Sequence, residues 1–161
     1  MNIFVLDKYP ASAVRMLCDC HVRKMCVETA QILSGVMIRK GMELIDGMPK
    51  PQNVYHPVIV AVNDPQAVNW LLQYNIYLHL EYFSRFKKVH SCEKWHIFYY
   101  EKLKTLAGGM SCENLAKCCG DLDVAELDIV AAYRMYYTEV KKPQLIAKNL
   151  WKFTGREDWT R

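Results

Sequence analysis

Along most of this chain apolar residues recur three and four positions apart, the spacing of helices that bury one face. Residues 2–6 are the exception. They form a short apolar run, extended or strand-like, closed by Asp7. Pro10 stands where a helix opens, and the periodicity runs from residue 14 to 32, with Gly35 near its end. Residues 36–62 look irregular, with GMELIDGMPKPQN as a loop, although VIVAV at 58–62 also fits a short buried strand. NDPQ at 63–66 is a capped start followed by Pro65, and it predicts a helix to about Phe86. That helix is apolar at Val68, Leu71, Leu72, Ile76, Leu80 and Phe83, and it sets Glu81 and Arg85 four apart on its outer face. Ser91 opens another helix, ending at Gly108 and Gly109, and a short helical piece is expected at 111–119. Asp123 with Glu126 resembles a capping box for a last helix to about Val140, stopped by Pro143. The pattern predicts a mainly α chain, a single compact helical domain over residues 1–161. Its N-terminus is short and extended, and residues 144–161 form an irregular basic and aromatic extension packed on or near it.

Composition agrees with a folded chain, since 52% of its 161 residues are hydrophobic and 24% charged. MNIFVLDKYP lacks the basic start of a signal peptide, and no apolar stretch nears the ~18–20 residues of a membrane span. No membrane partner is expected. The seven cysteines, an odd number without a secretion signal, point to reduced thiols and a cytoplasmic location. A formal net charge of +4 suits an anionic partner. Charge placement says more: Lys141, Lys142, Lys148, Lys152, Arg156 and Arg161 face only Glu157 and Asp158, with Trp151, Phe153 and Trp159 interleaved. Such a tail can neutralise phosphates and stack on bases. It can equally dock its tryptophans on the core and leave its lysines in water.

LCDCHVRKMCVET, residues 17–29, places polar groups inside a helical window. Positions seven apart differ by about 20° around a helix, so Val14, His21 and Glu28 share one side with Met25. His21 and Glu28 thus point towards the interior or a cleft, where a carboxylate is costly unless it is paired or has a task. Asp19, Arg23 and Lys24 fall on other faces, with Asp19 and Arg23 as an i,i+4 pair. Neither Cys18, Cys20 and His21 nor His90, Cys92 and His96 has the spacing of familiar zinc motifs, so no metal or cofactor is expected. No phosphate-cradling glycine loop or nucleophile elbow is present.

With Asp19, His21 and Glu28, this stretch resembles the catalytic helix of the endonuclease V-type pyrimidine-dimer DNA glycosylases of T-even-like phages, in which Asp-x-His precedes the catalytic glutamate by seven residues from the histidine. His56 and LEYFSRF at 80–86 echo a second stretch of that family. The chain is also similar, over nearly its whole length, to phage proteins that open MNIFVLD, continue CD-x-HV-x-KM and end AYR-x-YY with a Lys/Trp-rich tail. The glycosylase resemblance implies a small all-α enzyme that binds duplex DNA and flips a base. The N-terminal α-amine then attacks C1′ and forms a Schiff base, while the glutamate handles charge and protons. An α-amine has a pKa near 8 and is partly neutral at pH 7; a carboxylate beside the sugar stabilises oxocarbenium character. Asn2 is a poor neighbour for removal of Met1, so Met1 itself would offer the amine. The family's arginines flanking the glutamate are Val27 and Gln31 here, which leaves the substrate open.

The resemblance therefore implies a DNA glycosylase-like enzyme, active in DNA repair or modification, with AP-lyase activity through the amine. Glu28, His21 and Met1 are the expected catalytic residues. Asn2, Asp19, Lys24, His56, Arg134, Tyr137, Lys141, Lys148 and Trp151 are expected to meet substrate or DNA, a duplex with a flipped base or a nucleotide. Two alternatives stand beside it: a non-catalytic nucleic-acid binder that uses the tail, and a phage accessory protein that binds a host factor or a nucleotide.

Overall fold

Prolines and side-chain caps set where most of the helices begin. In the computed structural model, which describes residues 2–160, α1 spans Pro10–Arg15, α2 Asp19–Arg39, α3 Pro57–Ala61 and α4 Pro65–Phe86. α5 follows at His96–Leu103, α6 at Ile129–Tyr136 and α7 at Lys142–Ala147. Prolines open α1, α3 and α4, where a missing N–H costs nothing. His56, Asp64 and Asp128 accept first-turn amides of α3, α4 and α6. Met1 and Arg161 lie outside the described residues, so nothing follows for the Met1 amine from the structure.

The chain is mainly α, as its periodicity predicts, and among the described residues there is no strand. α2 is the central element: it packs against α3, α4 and α5, and α4 also packs against α1. Residues 3–6 run extended through the core, almost wholly buried. Their backbone is satisfied by side chains instead of a ladder: the Tyr74 hydroxyl bonds Phe4 O at 3.4 Å, and Arg134 Nε donates to Leu6 O at 2.7 Å. One hydrophobic cluster joins this segment to the helices, with Trp151, Phe153 and Trp159 of the C-terminal extension packed against it. No helix of the described residues is long and apolar enough to cross a membrane.

Several local expectations are corrected. The helix expected from residue 14 to 32 is two helices, broken at Met16–Cys18, and α2 continues past Gly35 to Arg39. Long-range donors hold the break open: Arg85 donates to Arg15 O at 3.0 Å and Leu17 O at 2.7 Å, and Trp159 Nε1 donates to Met16 O at 2.7 Å. Carbonyls freed at a helix end are satisfied from elsewhere in the chain. VIVAV is helical in α3, because Pro57 and the His56 cap start a turn there. The piece at 111–119 is a series of turns, and residues 91–95 only lead into α5 through a 3₁₀ turn. Asp123 makes a local turn with Ala125, while Asp128 caps α6. Pro143 does not stop the last helix: a π-helical segment, Tyr137–Lys141, carries the chain into α7.

Candidate active site

Glu28 sits on α2, 8% exposed. Its Oε2 accepts the backbone N–H of Asn2 at 2.9 Å, and its Oε1 meets the Lys24 ammonium at 3.1 Å. Lys24 therefore does not project away from Glu28; four residues bring its tip back over the carboxylate from solvent, where its side chain is 63% exposed. Asn2 is itself pinned. Its Nδ2 donates to Cys118 O at 2.8 Å, and its Oδ1 accepts from the Tyr133 hydroxyl at 3.0 Å. The start of the described chain is thus fixed by α6 against a buried carboxylate of α2. His56 borders the same place. Burial draws its pKa below the ordinary histidine value, while the negative charge of Glu28 pushes it up. Its Nδ1 accepts the Val58 amide at 3.3 Å, which leaves Nε2–H of the neutral ring as a donor.

His21, the other member of the stripe, is also buried, and its ring lies 4.5 Å from that of Phe4. Its Nδ1 bonds the Tyr137 hydroxyl at 2.8 Å. That hydroxyl also accepts the Cys18 N–H at 2.9 Å and donates to the Cys18 sulfur at 3.3 Å. A hydroxyl has one proton. With that proton on sulfur, His21 Nδ1–H is the donor to the Tyr137 oxygen. Cys20 Sγ lies 3.4 Å from Cys18 Sγ. The Cys20 hydrogen bond, then His21 and Tyr137, hold the Cys18 thiol far below its usual range against the opposing effect of burial. Cys20 is pushed the other way, first by its bond to Cys18 and then by burial. Tyr137 stays protonated, its pKa raised by burial. Cys18 also occupies the N-cap of α2, where the helix end favours a negative charge. The donors of Cys18, Cys20 and His21 lie within 4.8 Å of one another, a second chemical centre at the N-terminal end of α2.

Other expected contacts are engaged inside the protein. Asp19 does not pair with Arg23. It is buried against Arg85 at 3.0 Å and accepts the Thr154 N–H at 3.0 Å and hydroxyl at 2.6 Å. Arg23 lies instead 4.3 Å over the Phe86 ring. Glu81 and Arg85 do bond, at 2.7 Å, but in the interior and not on the outer face, and Arg156 adds two bonds to Glu81 at 2.8 and 2.9 Å. Arg134 binds Leu6 O and Asp7, and Lys141 lies 4.9 Å over the Tyr136 ring. Trp151 donates to Asp158 at 2.9 Å and packs 5.4 Å from Tyr137, while Lys148 is exposed. Of the expected residues, Glu28, Asn2, Lys24 and His56 are gathered in one place, and His21, Tyr137 and Trp151 form an aromatic cluster next to the Cys18 sulfur.

The sequence alone gives Cys18 and Cys20 as reduced thiols outside the familiar zinc motifs. All seven cysteines are free, but the C-x-C spacing at a helix start is what singles these two out. No protein-family model, curated protein or solved structure matches this chain.

Proposed function

We infer that the chain is a DNA glycosylase-like enzyme, in which Glu28 acts at the N-glycosidic bond of a damaged or modified nucleotide and an N-terminal amine provides AP-lyase chemistry. The 2.9 Å hydrogen bond from the Asn2 amide to the buried Glu28 carboxylate carries this reading. Residue 1 is joined covalently to the Asn2 nitrogen, and the reading pairs its α-amine as nucleophile with the Glu28 carboxylate, the pairing that attack at C1′ requires.

The neutral amine forms a bond to C1′ as the C1′–N bond breaks, and the base leaves with that electron pair and takes a proton from water. Glu28 stabilises the positive charge that builds on the sugar, takes the proton that the attached amine loses, and returns it to O4′ as the C1′–O4′ bond breaks and the nitrogen lone pair forms the protonated C1′=N bond. The resulting Schiff base acidifies C2′–H, and loss of that proton expels the 3′ phosphate. Lys24, exposed over the carboxylate, offers a positive charge to a strand phosphate. His56 Nε2–H offers a donor.

Borohydride reduction of a reaction with a duplex carrying one abasic site tests the amine. A covalent protein–DNA adduct, mapped by peptide mass to residue 1, is the expected result. An adduct mapped only to an internal lysine, or none, contradicts the amine chemistry.

A further inference from the structure

On the side of α2 turned away from Glu28, a second group of ligating side chains has no place in the chemistry above. Cys26 precedes Glu28 by two residues, about 200° around the helix at 3.6 residues per turn. It is fully buried. Its sulfur faces His79 of α4 and His90 of the α4–α5 connection, and one donor atom from each of the three lies within 4.8 Å of the other two. His96, the first residue of α5, stands beside them, with its ring 6.1 Å from that of His79; the His79 and His90 rings are 5.9 Å apart.

His79 needs an explanation. It is 7% exposed, and neither ring nitrogen has a hydrogen-bond partner among the described residues. A buried imidazole left so loses the bonds it would make in water. Its neighbours are arranged to help. The Nδ1 of His96 lies 2.6 Å from Glu93 O; a carbonyl only accepts, so Nδ1 carries the proton and Nε2 presents a lone pair. An orienting bond of this kind is usual behind a metal-bound histidine. A pocket of about 280 Å³, lined by His79, His90, His96, Glu93, Leu80 and Phe83, leads to the group from solvent.

We propose that Cys26, His79, His90 and His96 form a binding site for a single divalent transition metal of zinc type, which clamps α2, α4 and α5 together. One thiolate and three imidazoles are a borderline-soft set that suits tetrahedral zinc. In such a site imidazole centroids lie about 5 Å apart and donor atoms about 3.3–3.8 Å apart. The His90 and His96 rings close in on His79 by roughly an ångström to reach it. Two changes accompany binding. The Cys26 thiol, which now donates to Val22 O at 3.3 Å, gives its proton to solvent. His90 Nδ1, which accepts the Cys92 amide at 3.1 Å, gives up that bond, either to ligate directly or to take the proton that frees Nε2.

Cobalt(II) titration of the full-length, metal-stripped protein tests the site, because a tetrahedral thiolate complex has both ligand-field and sulfur-to-cobalt charge-transfer absorption. The expected result is saturation at one ion per chain, with zinc displacing cobalt. Cys26→Ser should lose the charge-transfer band. His90→Gln and His96→Gln, at half-buried positions that tolerate change, should each weaken binding by tenfold or more. Cys18→Ser is the control and should bind as the parent does. Absence of a tetrahedral spectrum in the parent protein overturns the proposal. So does a spectrum that survives Cys26→Ser and disappears in Cys18→Ser, which would place the ion at Cys18, Cys20 and His21.

Discussion

Arg85 is the side chain on which most of the buried charge depends. It contacts two carboxylates, Asp19 and Glu81, and two carbonyls at the α1–α2 break, with only 1% of its side chain exposed. Replacing one partner of a buried pair leaves the other charge uncompensated, at a cost of about 3–5 kcal/mol. Arg85→Met should therefore unfold at markedly lower urea concentration with an unchanged m-value; a midpoint equal to the parent's would mean that the network contributes nothing. Cys18 makes a pH prediction. Its thiol is held down to about 4 in the fold, chiefly by the Cys20 hydrogen bond, whereas a thiol in the unfolded chain titrates near 8.5. Between those values unfolding takes up a proton, so this contribution falls as pH falls and is gone below about 4. Cys20, shifted upward, is protonated in both states through that window and does not offset it. Ultraviolet thiolate absorbance at neutral pH should be present in the parent and absent in Cys18→Ser, and Cys20→Ala should move its titration upward. The burial of His21 and Glu28 was legible, since seven-residue spacing put both on the apolar side. Asp19 was not, because its partner Arg85 stands 66 residues away in sequence and no local spacing points to it. Lys24–Glu28 has the i,i+4 spacing of a helix pair, although the two side chains leave the helix on different faces.

At the scale of elements, α2 and α3 approach closely at Gly35. A Cβ there would lie 2.5 Å from Ile59 Cδ1 and 3.2 Å from both Cγ1 and Cγ2, and Ile59 is buried and stiff at its branched carbon. Gly35→Ala gains up to about 1 kcal/mol of helix propensity but overpacks at about 1–3 kcal/mol. The net effect should be destabilising, about 1 kcal/mol, read as a melting point lower by roughly 2–4 °C. A higher melting point would mean that Ile59 can move aside. Helix starts marked by Pro65, and by Asp64 before it, were readable because a cap and its amide are local. The α1–α2 break was not: its three carbonyls are satisfied by Arg85 and Trp159, so periodicity alone runs straight through it. Nor was the proposed metal group, whose donors come from three helices and a connection and so follow no short motif.

Across the whole molecule, the C-terminal extension is part of the folded body. Trp159 donates to Met16 O and stacks 6.0 Å from Tyr137, and Arg156 reaches Glu81. Of the two readings of the tail, the docked one describes its tryptophans, while Lys148 and Lys152 remain exposed. Trp159→Phe keeps the ring and removes the N–H, leaving the Met16 carbonyl unpaired. It should destabilise by about 1 kcal/mol in denaturant titration, and no change would show that the extension is not coupled to α1. Apolar periodicity made one mainly α fold legible, but composition could not separate a docked tail from a free one, since both use the same residues. The central claim concerns Glu28, and its most direct measurement is base release and strand cleavage from a panel of damaged and modified duplexes by the parent and by Glu28→Gln. Loss of activity by 10²-fold or more in the variant on a substrate the parent cleaves, with duplex binding retained, is the predicted result. Equal behaviour of the two proteins on every substrate would contradict it.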